Sequence, residues 1–174
     1  MSISNTEHIK HKVKCVKLSH GDRNIFEIFE YLNFAMGYIP DNYPGTTKPK
    51  GCNIQTDDLR SILIDPSLED KHLLEVYAHE LGHIYLHPTI NTFEIHKIDS
   101  VWSRKLEIEA DVFASEFLID DDVFENYVMN FEDIASTIGV SVSLLKLKFD
   151  NLSMDKKRKL EELYINNYYN WYSI

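Results

Sequence analysis

The chain has little cysteine, glycine or proline and no long apolar run, and each shortage excludes something. Only two of its 174 residues are cysteines, Cys15 and Cys52, and they form no CxxC pair. A disulfide framework is thereby excluded, and two reduced, mostly buried thiols are expected. Six glycines and five prolines leave no collagen-like or low-complexity segment. The apolar runs fall far short of the ~18 residues of a membrane span. Met1 to Glu7 carries no apolar stretch of signal-peptide length, so a cytoplasmic location is expected. Basic residues are also scarce: 18 Lys and Arg stand against 28 Asp and Glu, a net charge of −10. That balance disfavours nonspecific attraction to nucleic acid. The basic charge gathers in two short clusters, Lys10, Lys12, Lys14 and Lys17 near the start and Lys156, Lys157, Arg158 and Lys159 near the end. Both read as solvated faces.

What is present suits an ordinary globular protein. Hydrophobic residues make up 44%, enough to bury a core without staples. The length fits one domain spanning 1–174, with a core part over about 51–119 and a helical part over about 120–174. Residues 9–18 fit two periods: Ile9, Val13 and Val16 recur as in a helix, while Lys10, Lys12 and Lys14 alternate as in a strand. A helix follows from Asp22, a candidate N-cap, and should stop near Gly37 and Pro40. After a turn-rich stretch, Cys52–Gln55 and Ser61–Asp65 read as short strands. One helix is expected from about Glu69 to His87, a second from about Ser103 to Ile119, and shorter helices thereafter. The order gives an α+β fold: a small N-terminal sheet packed on a helix pair, then a C-terminal helical region.

The first helix contains His79-Glu80-Leu81-Gly82-His83, the HExxH pattern. Two histidines one turn apart can bind one zinc ion while the glutamate serves as a base. The composition would produce this pattern by chance only about 0.03 times. On a helical wheel His72, His79 and His83 share one face, and Leu74, Tyr77, Leu81, Ile84 and Tyr85 lie opposite.

A catalytic zinc takes three protein ligands and keeps one position for water. On the second helix Leu106, Ala110, Phe113 and Phe117 form the buried stripe, with Glu107 and Asp111 on one edge and Glu109 and Glu116 on the other. Glu107 as the third ligand, with Asp111 accepting a hydrogen bond from a histidine, accounts for both acids on one edge. His87 lies six residues beyond the middle of the motif, about 9 Å along the axis, and is better suited to a cap or a buried hydrogen bond. Glu94 and His96, in the loop after Pro88, are weaker candidates for a ligand or a transition-state donor.

The segments Ala78 to His87 and Glu107 to Leu118 together resemble the ImmA/IrrE family of zinc metallo-endopeptidases. Pro88, Asn91-Thr92 and the downstream Phe131 to Ser141 are similar to it as well, so the likeness runs from about Gly51 to Phe149. Family members often carry proline where this chain has Ile119-Asp120, a departure at a helix end and not at the site. The resemblance implies a gluzincin-like fold, one Zn2+ per chain held by His79, His83 and Glu107, Glu80 as catalytic base, and Asp111 beside a ligand histidine. It also implies cleavage of a regulatory protein in bacterial cells, typically a helix-turn-helix repressor of a prophage or mobile element. Ser61–Asp65 is the expected edge strand for an extended substrate.

Two other classes compete. Ala135, Gly139 and Leu145 have helix-turn-helix spacing, with Ser141 able to cap the second helix, which suits a DNA-binding regulator. Only Lys146 and Lys148 lie nearby, however, so specific nucleic-acid binding is not expected. The other class is a non-catalytic metal-bound sensor or toxin component that binds a partner without cutting it.

Overall fold

The doubtful segment at residues 9–18 resolves as helix, because only a helical period buries its apolar residues together. In a computed structural model that describes residues 3–43, 48–90, 92, 101–126 and 130–171, helix α1 spans Ile3–His20. Ile9, Val13 and Val16 are buried along one side, and Lys14 is exposed away from them. Cys15 is exposed on this helix while Cys52 is buried, so only one of the two thiols is in the core.

Helix α2, Ile25–Tyr31, begins two residues later than the sequence suggested. Its N-cap is Asn24, not Asp22: the Asn24 side chain accepts from the Phe26 and Glu27 amides, and the Glu27 carboxylate accepts from the Asn24 amide in a capping box. Asn33 then adopts a left-handed conformation (φ 64°), which ends the helical path and turns the chain into strand β1, Ala35–Tyr38. Gly37, read from sequence as a helix stop, lies inside this strand.

Strands β2, Gly51–Gln55, and β3, Arg60–Ile64, complete a three-stranded sheet in the order β1-β3-β2. β1 runs parallel to β3 and β2 antiparallel to it, with Cys52 opposite Leu63 and Asn53 opposite Ile62. The expectation that Ser61–Asp65 would form an edge is therefore corrected. β1 covers its second side, so β3 is the centre of the sheet, and β2 is the outer strand that packs on the next helix.

That helix is α3, Asp70–Leu86, followed by α4, Val101–Leu118. They form the most extensive helix pair, and α1 and α7 (Val142–Asp150) pack on α4 from other sides. Leu81, Ala110 and Phe113 are fully buried between them. The approach is close because Gly82 lacks a side chain: a Cβ there would stand 3.1 Å from Ala110 Cα and 3.1 Å from Phe113 Cβ. Short helix α5, Val123–Asn126, leads to α6, Phe131–Ile138, capped by Asn130 and ended by left-handed Gly139. The N-cap of α7 is Ser141, as expected, its hydroxyl accepting from the Leu144 amide. The last helix, α8 (Met154–Trp171), is a single long element and not one of several short ones. The architecture is thus α+β, a small early sheet with a mainly helical remainder. No helix among the described residues is long and apolar enough to cross a membrane.

Candidate metal centre

The α3–α4 contact at Gly82 and Ala110 brings His79, His83 and Glu107 together. His83 Nε2 lies 3.0 Å from His79 Nε2, and the Glu107 carboxylate oxygens lie 3.3 Å from His79 Nε2 and 3.5 Å from His83 Nε2. A tetrahedral ion with ligands at about 2.0–2.1 Å separates its ligand atoms by about 3.3–3.4 Å. The two imidazole nitrogens and the Glu107 carboxylate stand within about 0.3 Å of that spacing. Glu107 Oε1 is also buried and accepts no hydrogen bond among the described residues. With Oε1 toward His83 and Oε2 toward His79, the carboxylate and the two imidazoles form a group that could hold a cation.

Each histidine ring is held from behind. His79 Nδ1 donates to Asp111 Oδ1 at 2.8 Å, which leaves Nε2 toward Glu107. His83 Nδ1 faces His87 Nδ1 at 3.3 Å, and His87 Nε2 donates to Glu109 Oε2 at 2.8 Å. His87 is buried at the C-cap of α3 and serves the hydrogen-bonding role expected of it. His72 shares the wheel face but lies beside Glu75 instead, outside the donor set. Burial by itself would lower the His79 pKa. Hydrogen bonds to Asp111 and Glu107, with the negative charge of Glu80 and Asp111, outweigh it and lift the value to about 10.

Glu80, buried at 2% exposure, lies beside these donors and lines the cleft. Its Oε2 accepts from Asn53 Nδ2 at 2.7 Å and lies 3.3 Å from the Thr92 hydroxyl. That hydroxyl accepts from the Asn53 amide at 2.7 Å and stands 3.1 Å from the Asn53 carbonyl. β2 can approach this closely because residue 51 is glycine: a Cβ there would collide with Val76 Cγ1 and stand 3.2 Å from Glu80 Oε1. Burial and then the Glu80 charge push the neighbouring Cys52 thiol up to about 12, so it stays neutral.

A cleft of about 490 Å³ opens over the centre. Lys50 and Gly51 form one wall, and Ser141, Ser143, Leu144 and Leu147 of the α6–α7 region form the other. The Ser141 amide donates to Glu75 Oε1 and ties that wall to α3. Sequence reasoning named His79, His83 and Glu107, which the structure brings together, but missed Asn53, the reach of Thr92 and the His87–Glu109 contact. Asparagine at the centre of a strand was a usable signal, since strands are depleted in it. Glu94 and His96 lie outside the described residues.

A helix that carries HExxH, backed by a sheet and completed by an acid from the following helix, defines the metallopeptidase class. The chain belongs to the peptidase M78 family: residues 44–150 match its IrrE N-terminal-like domain. It is 31% identical over 163 residues to the metallopeptidase ImmA of Bacillus subtilis (strain 168), covering 91% of this chain and 94% of that protein. It is also 37% identical over 90 residues to an uncharacterized immunity region protein 2 of Bacillus phage phi105, covering 50% of this chain and 57% of that protein. No solved structure matches. The family resemblance carried by the motifs is thus confirmed, and with it the class of metallo-endopeptidase, acting on a protein substrate and carrying a candidate metal-binding group.

Proposed function

We propose that the chain is a zinc-dependent endopeptidase that cleaves a regulatory protein, a helix-turn-helix repressor of a prophage or mobile element, in the cytoplasm. The observation that carries the reading is the spacing of the His79, His83 and Glu107 donors, with buried Glu80 beside them. The whole chain, 1–174, acts as one metallopeptidase domain. Bound zinc supplies a Lewis acid that activates water and polarises the scissile carbonyl. Glu80 accepts the proton of the attacking water and delivers it to the leaving amine. Asn53 and Thr92 fix the rotamer in which the Glu80 carboxylate lines the cleft. Asp111 keeps the His79 proton on Nδ1, so that Nε2 presents its lone pair. An extended substrate meets the outer strand β2 at Lys50 and Gly51, where it borders the cleft.

The immunity context of the phage relative supports a repressor as substrate, and a helix-turn-helix repressor of such an element is the protein to test. Glu80→Gln keeps the size of the side chain and the metal donors but removes the base. It should hold zinc, bind the repressor and cut it ~10²–10⁴-fold more slowly. Cutting at the wild-type rate refutes the mechanism. Binding without cutting by either form favours the sensor reading.

The DNA-binding reading has one observation in its favour, the α6–Gly139–α7 geometry. The start of α7 faces the cleft, however, and Lys148 is buried against Glu116 and Asp121. A basic reading face is therefore not built there.

A further inference from the structure

His83 is 1% exposed and depends on groups behind it for its orientation. Its Nε2 is the nitrogen among the donor atoms, 3.0 Å from His79 Nε2 and 3.5 Å from Glu107 Oε1. Its other nitrogen points away from the cleft to His87 Nδ1 at 3.3 Å. From there His87 Nε2 reaches Glu109 Oε2 at 2.8 Å, and Glu109 Oε1 accepts from Asn5 Nδ2 of α1 at 2.7 Å. Lys105 Nζ stands 3.7 Å from that same oxygen.

We propose that His87 and Glu109 are positioning residues for the metal ligand His83, a buried relay that holds the His83 ring with its Nε2 lone pair toward the ion. The inference rests on the ligand assignment made above. For neutral rings only one polarity is consistent. Glu109 can only accept, so the His87 proton sits on Nε2 and its Nδ1 is an acceptor. His83 must then carry its proton on Nδ1 and donate it to His87. Nε2 is left bare, which is the form a metal requires. The reverse polarity would set a lone pair of His87 against a carboxylate and a proton of His83 among the metal donors.

The backbone supports the same arrangement. The His87 amide donates to the His83 carbonyl at 2.8 Å, so the cap that ends α3 also places the His87 ring under His83. Helix α4 contributes from both edges: Glu107 reaches the donor atoms in front, and Glu109 reaches behind His83 through His87. The two ligand histidines are thus held differently. His79 leans directly on Asp111, whose side chain is 54% exposed, whereas His83 leans on a ring and a carboxylate that are 6% and 12% exposed. A carboxylate out of water interacts more strongly with its partner, so the His83 support is the stiffer one.

The test is zinc affinity of the purified full chain, measured by competition with a chromophoric chelator, alongside thermal stability of each metal-free variant. Outer partners of ligand histidines change metal affinity by about 10–100-fold. His87→Leu should bind zinc that much more weakly, and Glu109→Leu should follow with a smaller loss. His87→Gln, whose amide offers an acceptor and a donor in one plane, should fall between wild type and His87→Leu. Leu145→Ala, a cavity in the core on α7, which carries no metal donor, should lower thermal stability and leave zinc affinity within about twofold. The proposal is overturned if His87→Leu binds zinc within twofold of wild type, if His87→Gln binds no better than His87→Leu, or if Leu145→Ala weakens zinc equally. Stoichiometric zinc in wild type that is lost in His79→Ala verifies the ligand reading separately. With that result in hand, unchanged affinity in His87→Leu sinks the relay alone, whereas a wild type that takes no zinc sinks both.

Discussion

Helix α4 carries acids to two buried clusters that look alike in charge and differ in chemistry. At one, Glu107 meets His79 and His83; at the other, Glu116 and Asp121 close on Lys148, each at 2.5 Å, with Lys156 completing the pair to Asp121. Both Glu107 and Glu116 keep one buried oxygen without a hydrogen bond among the described residues. The difference lies in the partner. Lysine brings its own permanent proton and cannot leave without exposing buried carboxylates, so the second cluster is a closed structural network. Imidazoles can exchange a proton for a metal ion, so the first cluster is open to one. A cluster of buried acids is a metal centre only when its basic partners can give up their charge.

The comparison can be broken most forcefully at Lys148. Lys148→Ala leaves the buried Glu116 carboxylate without its cation, while Asp121 keeps Lys156, a loss of about 3–5 kcal/mol for a broken buried pair. Chemical denaturation should show that fall, with zinc stoichiometry unchanged. A loss of zinc instead would mean that the two clusters are not independent.

Next comes the effect of zinc itself. Free zinc at about 100 times its Kd should raise the unfolding free energy by about 2.7 kcal/mol in wild type. Glu107→Ala should abolish the gain, and Glu116→Gln should keep it. Glu109→Ala should retain stoichiometric metal, and its loss there with retention in Glu107→Ala would reverse the assignment of the third ligand.

The effects of pH come last, and they have opposite signs at the two clusters. His79 in the metal-free protein titrates near 10 against an ordinary 6.5. Its contribution is complete below about 6.5 and is lost as pH rises through 10. Asp121 is pulled down to about 2 from 3.8: burial opposes the shift, and the hydrogen bonds and charges of Lys148 and Lys156 outweigh it. Its contribution is present above about 3.8 and is lost as pH falls through 2. Denaturation of the metal-free protein across pH should show both limbs, with His79→Gln flattening the alkaline one only.

The α3–α4 pair was legible because both helices repeat their apolar residues at a helical period, which places HExxH and Glu107 on facing edges. β1 was not. Its four residues follow a left-handed Asn33 that no apolar pattern announces, and they were read as the end of a helix. One missed strand misplaced another: without β1, β3 looks like an edge. Shorter helices were expected after Asp122, and the structure has three among the described residues before the long α8. The supports of the site escaped for a different reason. Asn53 to Glu80 and His87 to Glu109 join residues 27 and 22 positions apart, and such links come from packing rather than local pattern.

Gly82 sits inside the motif yet contributes no donor, and its lack of a side chain sets the gap between the two helices that share the ion. The metal centre therefore behaves as a caliper whose jaws are α3 and α4. A side chain at position 82 would press on the Ala110 backbone and Phe113 Cβ, parting the jaws by a few tenths of an ångström while leaving every ligand present in the sequence. A library randomised at position 82 and sorted for zinc retention should return glycine almost alone, with alanine as a weak survivor. The two unspecified positions of HExxH are thus not equivalent in this chain: Leu81 fills the core, and position 82 gauges the distance.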